Sequence, residues 1–203
     1  PDDMILDENM EITLSLKNGE NGQPIVLGEE ELQLSYHTAD HSEDYYNHDV
    51  LTHLYTRCKY EHDLKVFQLA NYARLTCIYM DAVGLHEINN HLGHEAGDHM
   101  LRSIADGIRQ YFPDDCAYRI GGDEFAVMLD INLSSDQLEH LLTQFLRDIS
   151  GILEQVTVSC SIGAYRFVFP QEIKHLLTET DRVLYQAKEN GRACFVIEDS
   201  TEK

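Results

Sequence analysis

The chain of 203 residues carries a formal charge of −21, with 15 Lys and Arg against 36 Asp and Glu. That balance argues against a nucleic-acid groove, where basic side chains neutralise phosphates, but allows a small phosphate ligand bridged by a divalent cation. The length suffices for a proper core, no apolar run is long enough to cross a bilayer, and no signal-peptide pattern opens the chain, so no membrane contact is expected of this segment. Cys58, Cys77, Cys116, Cys160 and Cys194 are odd in number and lack a C-x-x-C pair. They read as buried apolar residues in a reducing compartment, which places the segment in the cytoplasm. The start at Pro1 reads as the edge of a piece of a longer chain.

Residues 1–48 form an acidic β segment with linker, in which Lys17 is the only basic residue. Met10, Ile12, Leu14 and Leu16 alternate with polar positions, as do Leu32, Leu34 and Tyr36, with Asn-Gly turn formers between them. Two or three short strands are expected, a β-hairpin-like appendage or the tail of an upstream sensory domain. Asp40 to Asp49 reads as the linker.

From Asp49 to about Tyr72, Leu51, Leu54, Tyr55 and Cys58 recur at helical spacing. Leu75 to Met80 reads as a strand ending at Asp81. Ala82 to His94 is too polar and glycine-rich for a buried element. A helix follows from about Glu95 to Tyr111, with Ala96, Met100, Leu101, Ile104, Ala105 and Ile108 on its apolar face. Pro113-Asp114-Asp115 breaks it.

Arg119 to Leu129 then reads as a hairpin, two apolar runs around Gly121-Gly122, where glycine takes positive φ without steric cost. Asp123 and Glu124 sit at the reversal, and side-chain alternation allows only one of them squarely on a given face. By itself such a turn also fits a solvated acidic loop.

Ser134 and Gln137 have capping-box spacing ahead of a helix with Leu138, Leu141, Leu142, Phe145, Leu146 and Ile149 on its buried stripe and Gly151 as its stop. A strand from Val156 to about Ala164, a helix after Pro170 stopped at Asn190-Gly191, and a strand from Ala193 to Ile197 complete the order. Residues 198–203 are a tail.

The order from Leu75 onward predicts an α+β fold. Its core is a ferredoxin-like, nucleotidyl-cyclase-type βαββαβ arrangement with a central antiparallel sheet, and the first and third strands are neighbours. That adjacency brings Asp81 beside Asp123 and Glu124. Carboxylates meeting at one sheet edge suit Mg²⁺ or Mn²⁺ bridging to nucleotide phosphates, a setting for metal-assisted nucleotidyl transfer.

Several stretches resemble the GGDEF family, the diguanylate cyclases, from Asp49 to about Phe195. Asp49-Val50-Leu51-Thr52-His53-Leu54 is similar to D-x-L-T-G-L with His53 in place of glycine, and Gly93 to Asp98 to G-H-x-x-G-D. Arg119 to Phe125 carries the family's hairpin, Ser161-Ile162-Gly163 its S-I-G, and Asp181 to Arg192 its A-D-x-A-L-Y-x-A-K-x-x-G-R apart from Thr180 and Val183. The resemblance assigns residues 49–197 to one domain. It implies a homodimer that joins two GTP into cyclic di-GMP with release of pyrophosphate. It further implies metal ligation by Asp81, Asp123 and the Ala82 carbonyl, with Glu124 as a further metal contact or an aid to deprotonation. Asn89 and Asp98 would read guanine, Lys188 and Arg192 would hold phosphates, and Arg119 would support the hairpin.

Departures gather in Asp81 to Asn90. Val83 stands where the family has a second acid, Leu85 where it has phenylalanine, His86 where it has a phosphate-binding lysine, and Asn90 where it has aspartate. They imply weakened activity, and they keep open a catalytically silent domain that binds GTP as a regulatory or partner-docking module. The family's inhibitory product site, R-x-x-D, falls on Phe112 to Asp115 and is not intact, with Phe112 in place of arginine and Asp115 present. His86, His91, His94 and His99 do not match a common zinc spacing.

Overall fold

The structure is a computed structural model describing residues 4–6, 12–14, 47–69, 75–130, 133–150, 152–153, 156–167 and 173–200. It divides into two units, Pro1–Glu43 and Asp44–Lys203. In the first, β1 (Met4–Leu6) and β2 (Ile12–Leu14) pair antiparallel. The expected strand around Leu32 to Tyr36 lies outside the described residues.

The second unit is built on one sheet. Its strands are β3 (Tyr55–Thr56), β4 (Leu75–Ala82), β5 (Ala117–Arg119), β6 (Glu124–Leu129), β9 (Cys160–Phe167) and β10 (Phe195–Asp199), in the spatial order β10-β9-β4-β6-β5-β3. The four inner strands are antiparallel, and β3 and β10 add parallel edges on β5 and β9. β4 lies between β9 and β6, so the first and third strands of the expected core are neighbours. A small antiparallel pair, β7 (Ile152–Leu153) and β8 (Val156–Thr157), precedes β9.

Strand alternation divides the core into two layers. Ile78, Met80 and Ala82 of β4, with Phe125 and Val127 of β6 and Ile162 of β9, face α2 (Leu85–Leu92), α3 (His94–Tyr111) and α4 (Ser135–Ile149). Leu75 and Cys77 of β4, with Ala126, Met128 and Tyr165, face α1 (Arg57–Leu69) and α5 (Ile173–Glu189). Burial pushes the Cys77 thiol up to about 12, as befits an inert core residue. Ser134 caps α4 with both capping-box bonds.

Four local expectations are corrected. The helix read from Asp49 begins only at Arg57, because Asp49 accepts from both Thr52 N (2.8 Å) and Thr52 Oγ1 (2.7 Å) and closes a turn instead. Ala82 to His94 holds a helix, α2, whose single buried residue, Ile88, is too thin an apolar stripe to show as periodicity. The strand read over Val156 to Ala164 is two strands interrupted at Val158-Ser159, where the Ser159 carbonyl accepts from Val83 N (2.9 Å). The last strand starts at Phe195, because Arg192 (φ 62°) and Ala193 (φ 48°) lie in the left-handed region. The proposed stop at Gly151 lies outside the described residues, and Ser150 caps α4.

Candidate functional site

Asp81 is the last acidic position of β4, and the register sets it opposite Glu124 on β6 and Ser161 on β9. Directly paired residues share a face, so Asp81, Glu124 and Ser161 all lie on the side covered by α5. From that helix Lys188 Nζ reaches Asp81 Oδ2 at 2.5 Å. Both partners are largely shielded, with 30% of the Lys188 side chain and 16% of the Asp81 side chain exposed.

The hairpin settles which acid shares Asp81's face. It is Glu124, the first residue of β6, while Asp123 belongs to the bend and its carbonyl accepts from Ala82 N (2.9 Å), tying the turn to β4. Neither Gly121 nor Gly122 has a positive φ, and at Gly121 the requirement is space rather than a left-handed turn. A Cβ on Gly121 would lie 2.5 Å from Glu124 Oε2, which folds back over the turn.

Arg119 fixes the bend from beneath. Its Nη2 donates to the Gly122 carbonyl (2.7 Å) and its Nη1 to Asp49 Oδ1 (2.9 Å). Burial raises the Asp49 carboxyl, but donation from Thr52 and Arg119 outweighs it and holds the group below the usual carboxylate range. Arg109 of α3 donates to the Thr52 carbonyl at 2.5 Å and anchors this turn to the domain. Asp49 was legible only as the start of a motif, and Arg109 gave no sequence signal, since nothing local marks a contact 57 residues away.

At the α2–α3 corner Asn89 packs against Gly97, where a Cβ would lie 2.0 Å from Asn89 Oδ1, a buried acceptor with no partner among the described residues. Asp98, next along α3, is half-exposed, with Arg102 Nη2 at 3.9 Å. His86 Nε2 and Asn90 Nδ2 are 3.0 Å apart, so two departures from the family pattern form one i,i+4 pair on the exposed side of α2. Arg192 is exposed beyond the end of α5, four residues after Lys188 and in a left-handed backbone conformation. Phe112 is 4% exposed and packs edge-on against Phe145 at 5.9 Å, while Asp115 is exposed.

Among the described residues no three of His, Cys, Asp and Glu gather closely enough to hold an ion by themselves. The donor set fits a hard cation nonetheless. Asp81 and Glu124 offer carboxylate oxygens on adjacent strands, and Mg²⁺ is commonly held by one or two carboxylates plus substrate phosphates.

Acids at paired ends of two central strands, a lysine from the covering helix and a glycine hairpin define an α+β domain of the nucleotidyl-cyclase type. The family model for "Diguanylate cyclase, GGDEF domain" matches residues 46–194, and the chain belongs to that family. It is similar to diguanylate cyclase DgcS of Shewanella oneidensis, 32% identical over 72% of this chain and 51% of that protein. Diguanylate cyclase TpbB of Pseudomonas aeruginosa is 33% identical over 72% of this chain and 36% of its own length. The chain thus spans about half or less of these relatives. Among solved structures, the coiled coil and GGDEF domain of DgcB from Caulobacter crescentus, in complex with c-di-GMP, superposes with a TM-score of 0.77. It is 18% identical, over 84% of this chain and 94% of that one, and shows the shared fold. Among the described residues no helix is long and apolar enough to cross a membrane.

Proposed function

We propose that this domain is a diguanylate cyclase that condenses two GTP into cyclic di-GMP and releases pyrophosphate. The observation that carries the reading is the registered pair Asp81 and Glu124 under Lys188, since it joins oxygen donors for a cation to a positive charge for phosphate. When bound, Mg²⁺ or Mn²⁺ supplies charge neutralisation on the triphosphate and eases loss of the attacking hydroxyl proton.

The chain's own residues supply the rest. Asp81, the Ala82 carbonyl and Asp123 hold the cation, with Glu124 as a further contact or the acceptor of the 3′-hydroxyl proton. Lys188 leaves Asp81 for the phosphates, with Arg192 beside it and His86 at the position of the family's lysine. Asn89 reads guanine through its side-chain amide, and Asp98 accepts from the ring N–H and exocyclic amine. Arg119 keeps the bend in place through Gly122 and Asp49. One domain holds one GTP, so the reaction joins two copies, and a homodimer is the working form. An upstream sensory segment in a longer parent chain sets that pairing, and the domain works in the cytoplasm.

The pairing of His86 with Asn90 favours a second reading, a silent domain that binds GTP as a regulatory module, because no fixed cation stands at that phosphate position. Incubation with GTP and Mg²⁺, with the products separated by chromatography, decides between them. Cyclic di-GMP formation that is lost in Asp123→Ala supports the cyclase. Tight GTP binding without product supports the silent module.

A further inference from the structure

Three buried side-chain polar atoms lack a hydrogen-bond partner among the described residues: Asn89 Oδ1, Arg119 Nε and Ser161 Oγ. An unpaired buried polar group is destabilising, because it has given up water without gaining a partner, so each calls for a reason. Asn89 and Arg119 already belong to the site. Ser161 is the remaining one, and it is 0% exposed, so no ligand touches it directly.

Its place in the sheet gives the reason. Ser161 pairs in register with Asp81 and shares its face, on the side of Asp81 opposite Glu124. Two residues further along β9, Gly163 lets α5 sit directly on the strand, since a Cβ there would lie 2.2 Å from Leu184 N. That close approach seals Ser161 beneath the helix and brings Lys188, one turn beyond Leu184, to Asp81. In the structure as it stands Lys188 donates to Asp81 Oδ2, and the serine hydroxyl has no partner among the described residues.

We infer that Ser161 is a positioning residue for Asp81: when Lys188 turns away to phosphate, the Ser161 hydroxyl donates to the Asp81 carboxylate and fixes it for the cation. A desolvated hydroxyl paired in register on the neighbouring strand is suited to this, because rotation about χ1 redirects its O–H without moving the backbone. The inference rests on the cation role proposed for Asp81, but its test separates the two.

The first measurement is a thermal unfolding cycle without metal or nucleotide. Ser161→Ala in the otherwise unchanged chain leaves Tm within about 1 °C or raises it, because an idle hydroxyl is removed. In the Lys188→Met background, where the hydroxyl is the donor left to Asp81, the same substitution lowers Tm by about 3 °C or more. Equal shifts in both backgrounds overturn the inference and make Ser161 merely a packing residue. The second measurement is Mn²⁺ affinity by electron paramagnetic resonance with a non-hydrolysable GTP analogue present. Ser161→Ala weakens it about 5- to 10-fold, with the KM for GTP unchanged at saturating metal. If the unaltered chain binds no Mn²⁺, the cation role of Asp81 fails, while the unfolding cycle still decides whether Ser161 serves Asp81. If the unaltered chain binds Mn²⁺ and Ser161→Ala binds it equally well, the inference fails alone.

Discussion

Replacing Lys188 with methionine should move two affinities in opposite directions. Lys188 Nζ and Asp81 Oδ2 stand 2.5 Å apart, so a cation that binds Asp81 first displaces the lysine. At an effective dielectric of about 20 the bare attraction at that distance is roughly 6–7 kcal/mol. Desolvation of both groups cancels most of it, and a charge-assisted hydrogen bond of this kind is worth about 1.5–3 kcal/mol net. Removing the competitor therefore tightens Mn²⁺ binding in the absence of nucleotide by about tenfold to a hundredfold. The same change takes away a cation that phosphate needs, so affinity for a non-hydrolysable GTP analogue falls by a similar factor. Titration of Mn²⁺ by electron paramagnetic resonance and of the analogue by calorimetry reads both. Methionine keeps the length and apolar stem of the lysine, so packing on α5 is preserved. Unchanged Mn²⁺ affinity, or both affinities falling together, would refute the competition between lysine and cation at Asp81.

His53 occupies a left-handed backbone position, φ 58°, where the family pattern carries glycine, and its side chain is exposed. The strain of about 1–2 kcal/mol is partly offset by the extra freedom glycine gives the unfolded chain. His53→Gly therefore raises Tm by about 1–4 °C, read by calorimetry, and a lower Tm refutes the strain argument. The Asp49 carboxyl lies below its ordinary 3.8 in the folded chain, so its stabilising effect is present above that value and is lost as pH falls through the folded value. Asp49→Asn should flatten the loss of stability below about pH 4 in acid titrations of unfolding, at the expense of stability at neutral pH. Phe112 is core rather than surface, so cyclic di-GMP should show no low-micromolar binding at Phe112 to Asp115 by calorimetry. Phe112→Ala should cost about 3–5 kcal/mol in denaturant unfolding.

The amino-acid order alone determined the βαββαβ core, the hairpin at Arg119 to Leu129 and the adjacency of the Asp81 strand to that hairpin. Each rests on local periodicity or on a chain order that admits few topologies. Short-range signals also marked the Ser134 cap and the stop at Gly191. The start of α1 and the helix at Leu85 were not legible, because side-chain bonds of Asp49 and a one-residue apolar stripe leave no periodic trace. Neither were the partners of Asp81. That Glu124 rather than Asp123 shares its face follows from strand register, which a shift of one residue would reverse. The ion pair with Lys188, the clamp from Arg109 to the Asp49 turn and the stranded hydroxyl of Ser161 were decided only by tertiary structure. They join residues tens of positions apart that become neighbours when α3 and α5 close over opposite faces of the sheet.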